Sequence, residues 1–329
     1  MKAERLTLSL CAAVLLAGCG GSQALIGAPG AMPHGLPGAL QSTPPSLLYV
    51  VGFTDGTGFG KVFIYNADAR DPRPKGTIAA GLNIPTGDCL DKEGTLYVEN
   101  EPASGPGWVS EYPAGQTQPS KMITEGINSP AYCAIDGQGN LWVTNIGGPS
   151  GPNVTEYKKG STKPYAVITK GLTYADGIAI DHSGNLYVSN LFGKSSSPGN
   201  VQVYPPGRKA PSRTITDGVT VPVGIGVDKR ETLYVTNNRD TPQCSNVQEY
   251  RAGQNHPYRT ITKDINGPTA VTVGSNGWLY VTNTGYNACS GPANVVLEFR
   301  PGSITPSKRE ISKGLYRPEG TAYFPPLLP

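Results

Sequence analysis

The stretch GNLYVSN, residues 184–190, returns in variant form along the whole chain and decides its fold. The six copies of its core are LLYVVG at 47–52, TLYVEN at 95–100, NLWVTN at 140–145, NLYVSN at 185–190, TLYVTN at 232–237 and WLYVTN at 278–283. Their aromatic residues follow one another after 48, 45, 45, 47 and 46 positions. A nearly constant period of this length, carried by aromatic and β-branched residues, is typical of the blades of a β-propeller.

Each repeat predicts four short strands. The first ends at an Asp, as at 177–181, and a D-x-x-G turn such as 181–184 leads into the LYV strand. Asp starts such a turn, and Gly accepts the positive φ that closes it. A V-x-x-Y strand (201–204 in this repeat) and a T-I-T strand (214–216) follow. The 43 Gly and 31 Pro residues, without helical periodicity in the mature chain, argue against long helices.

The first repeat lacks the strand that precedes the LYV strand elsewhere. Residues 317–324, RPEGTAYF, carry the Pro-x-Gly start of the other first strands, as at 85–87 and 222–224. We therefore predict an all-β protein, a six-bladed β-propeller with four-stranded blades. Its ring is closed by the C-terminal strand joining the N-terminal blade, which leaves no long free edge.

The N-terminus predicts export. A charged start precedes the apolar run LTLSLCAAVLLAGC at 6–19, which is typical of a signal peptide and too short to span a membrane. LAGC at 16–19 resembles the lipobox of bacterial lipoproteins, and the resemblance implies cleavage before Cys19 and lipidation of Cys19. The alternative is an ordinary secreted protein with a Cys near its cleavage site. Because Gly20 and not Asp follows Cys19, we expect anchoring to the bacterial envelope, at the outer membrane.

Three segments follow from these patterns. Residues 1–18 are the lipoprotein signal peptide, 19–45 the lipidated Cys and a flexible tether rich in Gly, Ala and Pro, and 46–329 the propeller. The membrane is thus a partner through the lipid. The 27 Lys and Arg against 24 Asp and Glu, without a basic cluster, do not favour a nucleic-acid partner.

The pattern P-x-G-I-x-x-D-x-x-G-N-L-Y-V-x-N, clearest at 175–190 and 130–145, resembles the NHL-repeat and gluconolactonase-like six-bladed propellers over roughly residues 46–324. The gluconolactonase resemblance implies a divalent metal in the central channel, held by a Glu and several Asn or Asp. Glu319 and Asp176 match those positions, in blades three apart. Ala131 and Val223 stand where further oxygen ligands are needed, although calcium takes six or more. Asp88 lies further along its strand, toward a blade interface.

Related propellers that act as lyases use a histidine as base or zinc ligand. The three histidines here are His34 in the tether and His182 and His256 in turns, so none is expected at the loop-rich face of the ring. The sequence also lacks a nucleophile elbow, a C-x-x-C pair and a phosphate-binding loop. No catalytic residue is predicted.

Variable loops follow the LYVxN strands, and binding usually resides in such loops on a rigid scaffold. The strands end at five asparagines on that face: Asn100, Asn145, Asn190, Asn237 and Asn283. They are the binding-face candidates, as amide ligands for a sugar or calcium. The alternative is that each Asn satisfies backbone groups of its own loop.

Four cysteines remain after Cys11 leaves with the signal peptide and Cys19 takes lipid. Cys89 and Cys133 are 44 residues apart on first strands of neighbouring blades, and Cys244 and Cys289 are 45 apart in equivalent loops. In an oxidising compartment we predict the disulfides Cys89–Cys133 and Cys244–Cys289. The alternative for the inner pair is two free cysteines packed in the core.

The function predicted is that of a lipid-anchored binding or scaffold module. Its loop-rich face would take a glycan, peptide or protein ligand, with no cofactor required and calcium or another divalent metal possible. The alternative is a divalent-metal-dependent lactonase or related hydrolase of the gluconolactonase type, using Glu319 and Asp176. The fold itself serves enzymes, binding modules and scaffolds, so it does not choose between them.

Overall fold

The computed structural model of the chain describes residues 45–53, 60–147, 151–193, 197–238, 245–285 and 289–328. These residues form six four-stranded antiparallel sheets and contain no helix, hence none with the length and apolarity needed to cross a membrane. The sheets are the blades of a β-propeller, so the predicted fold class is confirmed. The predicted signal peptide, Cys19, the tether up to residue 44, His34 and Cys244 lie outside the described residues.

The blades are numbered along the chain, and each is given from its innermost strand outward. Blade 1 contains β24 (Thr321–Phe324), β1 (Leu47–Phe53), β2 (Gly60–Asn66) and β3 (Gly76–Ile78). Blade 2 contains β4 (Pro85–Leu90), β5 (Leu96–Asn100), β6 (Trp108–Tyr112) and β7 (Lys121–Ile123). Blade 3 contains β8 (Pro130–Ile135), β9 (Leu141–Asn145), β10 (Asn153–Tyr157) and β11 (Pro164–Ile168).

Blades 4 to 6 repeat this order. Blade 4 contains β12 (Ala175–Ile180), β13 (Leu186–Phe192), β14 (Pro198–Tyr204) and β15 (Arg213–Ile215). Blade 5 contains β16 (Pro222–Val227), β17 (Leu233–Asn237), β18 (Asn246–Tyr250) and β19 (Arg259–Ile261). Blade 6 contains β20 (Pro268–Val273), β21 (Leu279–Asn283), β22 (Val295–Phe299) and β23 (Glu310–Ile311).

The ring closes as the sequence predicts. β24 pairs antiparallel with β1, with Leu47 opposite Phe324 and Val50 opposite Thr321. The contact continues before β24, where the Glu319 N–H donates to the carbonyl of Val51 over 2.8 Å. The innermost strand of blade 1 therefore comes from the far end of the chain, which pairs the inner edge of β1.

Strand register defines the two faces of the ring. In blade 2, Pro85 at the start of β4 lies opposite Asn100 at the end of β5. The same Pro–Asn pairing occurs in blades 3, 5 and 6. Starts of inner strands and ends of LYVxN strands therefore share one face, the loop-rich face. The D-x-x-G turns lie at the opposite end of the strands, which we name the turn face.

The hydrophobic core lies between neighbouring blades. In one interface, Tyr97 of blade 2 packs with Leu141 and Val143 of blade 3, all of them buried. The V-x-x-Y tyrosines add a hydrogen bond across each such interface. Their hydroxyls donate to carbonyls of the preceding blade or the loop that leaves it: Tyr112 to Ala80, Tyr157 to Glu125, Tyr204 to Lys170 and Tyr250 to Asp217, at 2.6–2.7 Å. These tyrosines are therefore structural residues.

A disulfide joins Cys89 of β4 to Cys133 of β8, with 5.7 Å between their Cα atoms. It links the inner strands of blades 2 and 3, as predicted. Cys289 is half-buried and has no disulfide partner among the described residues. Its predicted partner Cys244 lies outside the described residues, so that pairing stays a prediction.

Candidate functional site at the mouth of the central channel

The inner strands of blades 2 to 6 all contain an irregularity next to the loop-rich face. In blade 4 the pairing of β12 with β13 shifts register between Ala175 and Ile178, so Asp176 lies in a β-bulge. A bulge bends its strand and re-aims the side chain it carries. Glu319 holds the equivalent position in the Pro-x-Gly start of blade 1, directly before β24. The two carboxyl groups thus come from blades on opposite sides of the ring.

Burial raises the pKa of both carboxyl groups, and the charge of Glu319 acts on Asp176. Asp176 is buried, and loss of water raises its pKa to about 7, with further upward contributions from Glu319 and Glu101. Burial likewise raises the pKa of Glu319 to about 7, against the opposing charge of Arg317, whose Nη2 lies 3.7 Å from Oε1. Burial also raises the pKa of Glu101. These three acids define an acidic channel mouth.

Tyr132 crosses the channel behind this mouth. Its hydroxyl donates to the carbonyl of Thr269 in blade 6 over 3.0 Å and lies 3.2 Å from the carbonyl of Glu319. Burial raises the pKa of Tyr132 well above its usual value, and Asp176 and Glu319 raise it further. The hydroxyl therefore remains a proton donor, and the side chain separates the mouth from the rest of the channel.

Sequence reasoning missed Tyr132, although the repeat carries a signal for it. Four of the six blades have glycine at this inner-strand position: Gly87, Gly177, Gly224 and Gly320. Neighbouring inner strands approach closely here, since a Cβ on Gly177 would lie 2.1 Å from the carbonyl oxygen of Val223. A tyrosine at a position that otherwise favours glycine marks a side chain that reaches into the channel.

Beyond Tyr132 lies a cavity of about 150 Å³. Its walls are mostly apolar residues of the inner strands, and Pro326, Leu327 and Leu328 of the C-terminal segment bound it at the turn face. Asp88 is the acidic residue in this lining. Asp88 points toward blade 1, because a Cβ on Gly320 would lie 2.8 Å from its Oδ1.

Asp88 is one of two unpaired buried acids in blade 2. Neither oxygen of Asp88 nor of Glu99 has a hydrogen-bond partner among the described residues, and Glu99 is fully buried. Burial raises the pKa of both carboxyl groups well above the usual range, and Asp88 raises that of Glu99 further. Burial therefore favours the protonated form of both carboxyl groups, because an unpaired buried carboxylate is costly.

Glu99 replaces a hydroxyl that the other blades use. The equivalent residues of blades 3 to 6 accept the backbone N–H of their own bulge at 2.7–3.0 Å: Thr144, Ser189, Thr236 and Thr282. The carboxyl group of Glu99 makes no such bond. Blade 2 therefore lacks the hydroxyl group that accepts the backbone N–H of the bulge in blades 3 to 6.

The five candidate asparagines are all fully buried. Each Oδ1 accepts the backbone N–H of the residue 17 positions earlier, in the loop that enters the inner strand: Asn83, Asn128, Thr173, Thr220 and Asn266. In four of them Nδ2 also donates to the carbonyl 19 positions earlier. These contacts favour the structural alternative, in which each Asn satisfies backbone groups and none faces a ligand.

The mouth does not offer the donor set that the gluconolactonase resemblance implies for a metal. Ala131 and Val223 supply no side-chain oxygen, and the hydroxyl of Thr86 donates to the carbonyl of Pro130. Among the described residues no three His, Cys, Asp or Glu side chains are grouped closely enough to hold a metal ion. Asp176 and Glu319 with water would leave calcium short of its six or more oxygens.

His182 and His256 are exposed and lie away from the mouth, as predicted. His182 belongs to the D-x-x-G turn of blade 4, at the turn face. His256 Nδ1 lies 2.7 Å from Asp217 Oδ2 in an exposed pair. Neither ring can act on a group bound between Asp176 and Glu319.

Comparison with known proteins supports the fold and nothing finer. No family model and no curated protein matches the chain. Among solved structures, a putative 6-phosphogluconolactonase from Bacteroides fragilis matches 86% of this chain and 99% of its own, at 14% identity and a TM-score of 0.58. Hydrazine synthase from Kuenenia stuttgartiensis matches 66% of this chain at 16% identity and a TM-score of 0.51, and the match spans 63% of that longer chain. Identities this low establish likeness of fold, a β-propeller with a lactonase-like structural neighbour.

Proposed function

We propose that this protein is a lipid-anchored binding module of the bacterial envelope that takes a positively charged organic group at its channel mouth. The observation that carries the proposal is the convergence of Asp176 and Glu319 from opposite blades, both with a pKa of about 7. Two acids held near each other with little water favour a cation between them. An ammonium or guanidinium group would supply that charge together with hydrogen-bond donors.

Aromatic side chains beside the mouth support an organic cation over a metal ion. Burial and the nearby Asp176 and Glu101 raise the pKa of Tyr174. The Tyr174 ring meets Phe192 edge to face, with centroids 5.7 Å apart. Phe192 is 43% exposed and therefore accessible to a ligand. Carboxylates beside aromatic rings recognise amines, because the ring face attracts positive charge. A basic side chain of a peptide fits this chemistry.

The affinity of the channel mouth for a cation should depend on pH. A cation binds the ionised carboxylates, whereas the free site with pKa values of about 7 holds protons below neutrality. At pH 6 a cation must therefore displace protons from these carboxyl groups, whereas at pH 8 most of the protons have already left. Ionisation of one group with a pKa of 7 rises roughly tenfold over that interval, and affinity should rise with it.

The test uses the peptide Gly-Arg-Gly, capped at both ends, against the same peptide with citrulline, which keeps the shape and removes the charge. Calorimetry at pH 8 and low salt should show binding of the arginine peptide alone. Asp176→Asn and Glu319→Gln should each weaken it at least tenfold. Glu125→Gln, an exposed acid in the loop before blade 3, should leave it unchanged. Equal binding of the citrulline peptide, or indifference to both mouth variants, would overturn the proposal.

The anchor forms the second part of the proposal. The lipobox-like LAGC at 16–19 supports lipidation of Cys19, and outer-membrane placement follows from Gly20. Cys19→Ala should move the protein from the membrane fraction to the aqueous fraction of a bacterial host. Retention of Cys19→Ala in the membrane fraction would contradict a lipid anchor at this residue.

The hydrolase alternative makes a different prediction in the same preparation. A lactonase would hydrolyse gluconolactone in millimolar calcium and lose that activity in Glu319→Gln. Calcium would also raise the melting temperature in proportion to its excess, because it would bind the native state alone. Calcium-dependent hydrolysis would therefore replace the binding proposal. Its absence, with arginine-peptide binding intact, would support the binding proposal.

A further inference from the structure

A basic residue at one position of the fourth strand fills the groove between blades at the turn face. This residue lies opposite a fixed position of the third strand, as Lys121 lies opposite Glu111 and Arg259 opposite Glu249. Both pairs are ion pairs. The arginines also reach the next blade and donate to its backbone carbonyls: Arg213 to Gln254 at 2.9 Å, Arg259 to Gly302 at 2.6 Å and Arg309 to Ala67 at 2.7 Å.

Blades 1 and 3 have no basic residue at this position. In blade 1 Gly76 lies opposite Ile64, so there is no acid to pair, whereas blade 3 keeps the acid and lacks the base. Register places Ala166 opposite Glu156, where Lys121 and Arg259 stand in blades 2 and 5. No side chain of β11 then reaches across to blade 4 from this position, and a groove of about 790 Å³ opens between blades 3 and 4. The equivalent groove between blades 5 and 6, which contains Arg259, is about 400 Å³. We name the larger one the 3/4 groove; Trp142, Lys158, Tyr165, Ala166, Arg208 and Lys209 are among its lining residues.

Both acids of the 3/4 groove already have partners. Glu156 forms an ion pair with Lys158, which takes the place of the missing fourth-strand base. The Lys158 Nζ also lies 3.9 Å from the centre of the Tyr165 ring. The second acid, Asp136, accepts the N–H of Asn140 and the indole N–H of Trp142. Neither carboxylate is therefore free to attract a cation from solution.

Two further cations stand on the rim. Arg208 and Lys209 occupy the exposed turn that joins β14 to β15, and neither has an ion-pair partner among the described residues. Because Lys158 is paired with Glu156, the excess comes from Arg208 and Lys209 against Asp136, and the groove lining carries a net positive charge. Such a surface attracts carboxylate, phosphate or sulfate groups.

The groove also presents aromatic surface. Tyr165 is 65% exposed, the largest exposure among the large hydrophobic side chains of the described residues. Trp142 is half-buried in the lining. A sugar ring carries an apolar face of C–H groups that packs flat on an aromatic ring, with its hydroxyl groups turned to polar side chains. Gln138 and His182 provide exposed polar groups in the same lining.

We propose that the 3/4 groove binds an acidic oligosaccharide, with one sugar ring on Tyr165 and a carboxylate held by Arg208 and Lys209. A second concavity of about 630 Å³ adjoins it and shares Arg208 and Lys209, adding Lys170 to the lining. Two concavities on either side of one basic turn fit a chain of sugars better than a single ring. This site is separate from the channel mouth and uses the opposite charge.

The test probes the protein with tetragalacturonate and, as the neutral counterpart, cellotetraose. Calorimetry at low salt should show binding of tetragalacturonate and at least tenfold weaker binding of cellotetraose. Tyr165→Ala should weaken tetragalacturonate binding at least tenfold, and Arg208→Ser with Lys209→Ser should reduce both the affinity and its salt dependence. The matched control is Tyr258→Ala, which removes the tyrosine at the same repeat position of blade 5, where Arg259 fills the groove. Tyr258→Ala should bind normally.

Ala166→Arg provides the sharpest variant, because it introduces the basic residue type that blades 2, 4, 5 and 6 use. The arginine should fill the groove, leave the melting temperature equal or higher, and abolish tetragalacturonate binding. Retained binding in Ala166→Arg, or equal loss in Tyr165→Ala and Tyr258→Ala, would overturn the proposal. So would binding to phosphatidylglycerol vesicles without binding to tetragalacturonate, which would make the surface a lipid contact. Asp176→Asn should bind tetragalacturonate normally, which separates this site from the channel mouth.

Discussion

The mouth of the central channel and blade 2 each hold a pair of buried acids, and the pairs differ in origin and access. Asp176 and Glu319 at the mouth come from opposite blades, and the side chain of Glu319 is still 20% exposed. Asp88 and Glu99 come from one blade and have no hydrogen-bond partners among the described residues. In both pairs burial is the main cause of the raised pKa.

The difference teaches that a raised pKa does not by itself identify a ligand site. Burial raises the pKa of any carboxyl group, whether or not a ligand can reach it. The mouth qualifies as a site because two blades converge on it from the loop-rich face. Asp88 lines the cavity beyond the crossing side chain of Tyr132. Glu99 lies on β5, at the position where blades 3 to 6 carry the hydroxyl that satisfies the bulge.

The largest effect is expected from deleting the C-terminal segment that contains both Glu319 and β24. Deletion of residues 317–329 removes Glu319 from the mouth and β24 from blade 1, and so exposes the inner edge of β1. The protein should aggregate rather than melt at a lower temperature. The matched deletion of residues 325–329 keeps the ring and the mouth but removes Leu327 and Leu328, at a cost of about 1–3 kcal/mol. Size-exclusion chromatography separates these outcomes. A monomeric product with normal melting from the longer deletion would contradict the shared blade.

The disulfide between Cys89 and Cys133 should stabilise the fold without affecting the mouth. It closes a loop of 44 residues, which corresponds to about 4 kcal/mol in the chain-entropy account. Cys89→Ala combined with Cys133→Ala should lower the free energy of unfolding by an amount of this order in urea titrations. Arginine-peptide binding should persist below the transition. An unchanged urea midpoint would show that packing alone holds blades 2 and 3 together.

The mouth acids should make stability depend on pH. In the unfolded chain Asp and Glu lose their protons near pH 4, whereas in the folded protein Asp176 and Glu319 keep them up to about pH 7. The free energy of unfolding should therefore fall as pH rises from about 4 to about 7, and level off above. Asp176→Asn should remove on the order of 4 kcal/mol of this fall, since its pKa rises by about three units and one unit corresponds to about 1.4 kcal/mol. Glu125→Gln serves as control, and an unchanged slope in Asp176→Asn would argue against the buried mouth acid.

Glu99→Thr should make blade 2 resemble its neighbours. The substitution removes a buried acid without partners and offers the bulge a hydroxyl, as Thr144 and Thr236 do. We expect a gain of about 1–2 kcal/mol in the free energy of unfolding. Thr236→Val, which removes that hydroxyl from blade 5 at nearly constant volume, should lose a similar amount. A loss of stability in Glu99→Thr would mean that the buried acids of blade 2 are satisfied by a group they bind.

Much of the fold can be predicted from the sequence because the same pattern of strands and turns recurs along the chain. The LYVxN strand, the D-x-x-G turn and the Pro-x-Gly start are local signals, and six copies reduce the error of any single one. The Cys89–Cys133 pairing could be predicted for the same reason, since equivalent strands of adjacent blades face each other.

The site was less predictable because it depends on distances across the ring. Glu319 and Asp176 were found through the resemblance of their motifs, but the crossing of Tyr132 requires knowing the width of the channel. The asparagines are the reverse case. A polar residue repeated at the ends of five LYVxN strands suggests a binding face, but each side-chain oxygen accepts a backbone N–H 17 residues earlier, which favours the structural alternative. Aligning the repeats for exceptions, such as Tyr132, Glu99 and Ala166, identifies the departures that matter.

The pairing of Leu47 with Phe324 has a consequence for the order of events during biogenesis. The two strands that complete blade 1 are 277 positions apart in the chain, so the blade that is started first is finished last. A chain synthesised from its N-terminus leaves β1 to β3 without their inner partner strand until the five other blades have emerged. Contacts between such distant residues form slowly, and an unpaired strand can associate with other chains before they form. We therefore expect chaperones to bind this protein longest at its N-terminal blade, until residue 324 has emerged.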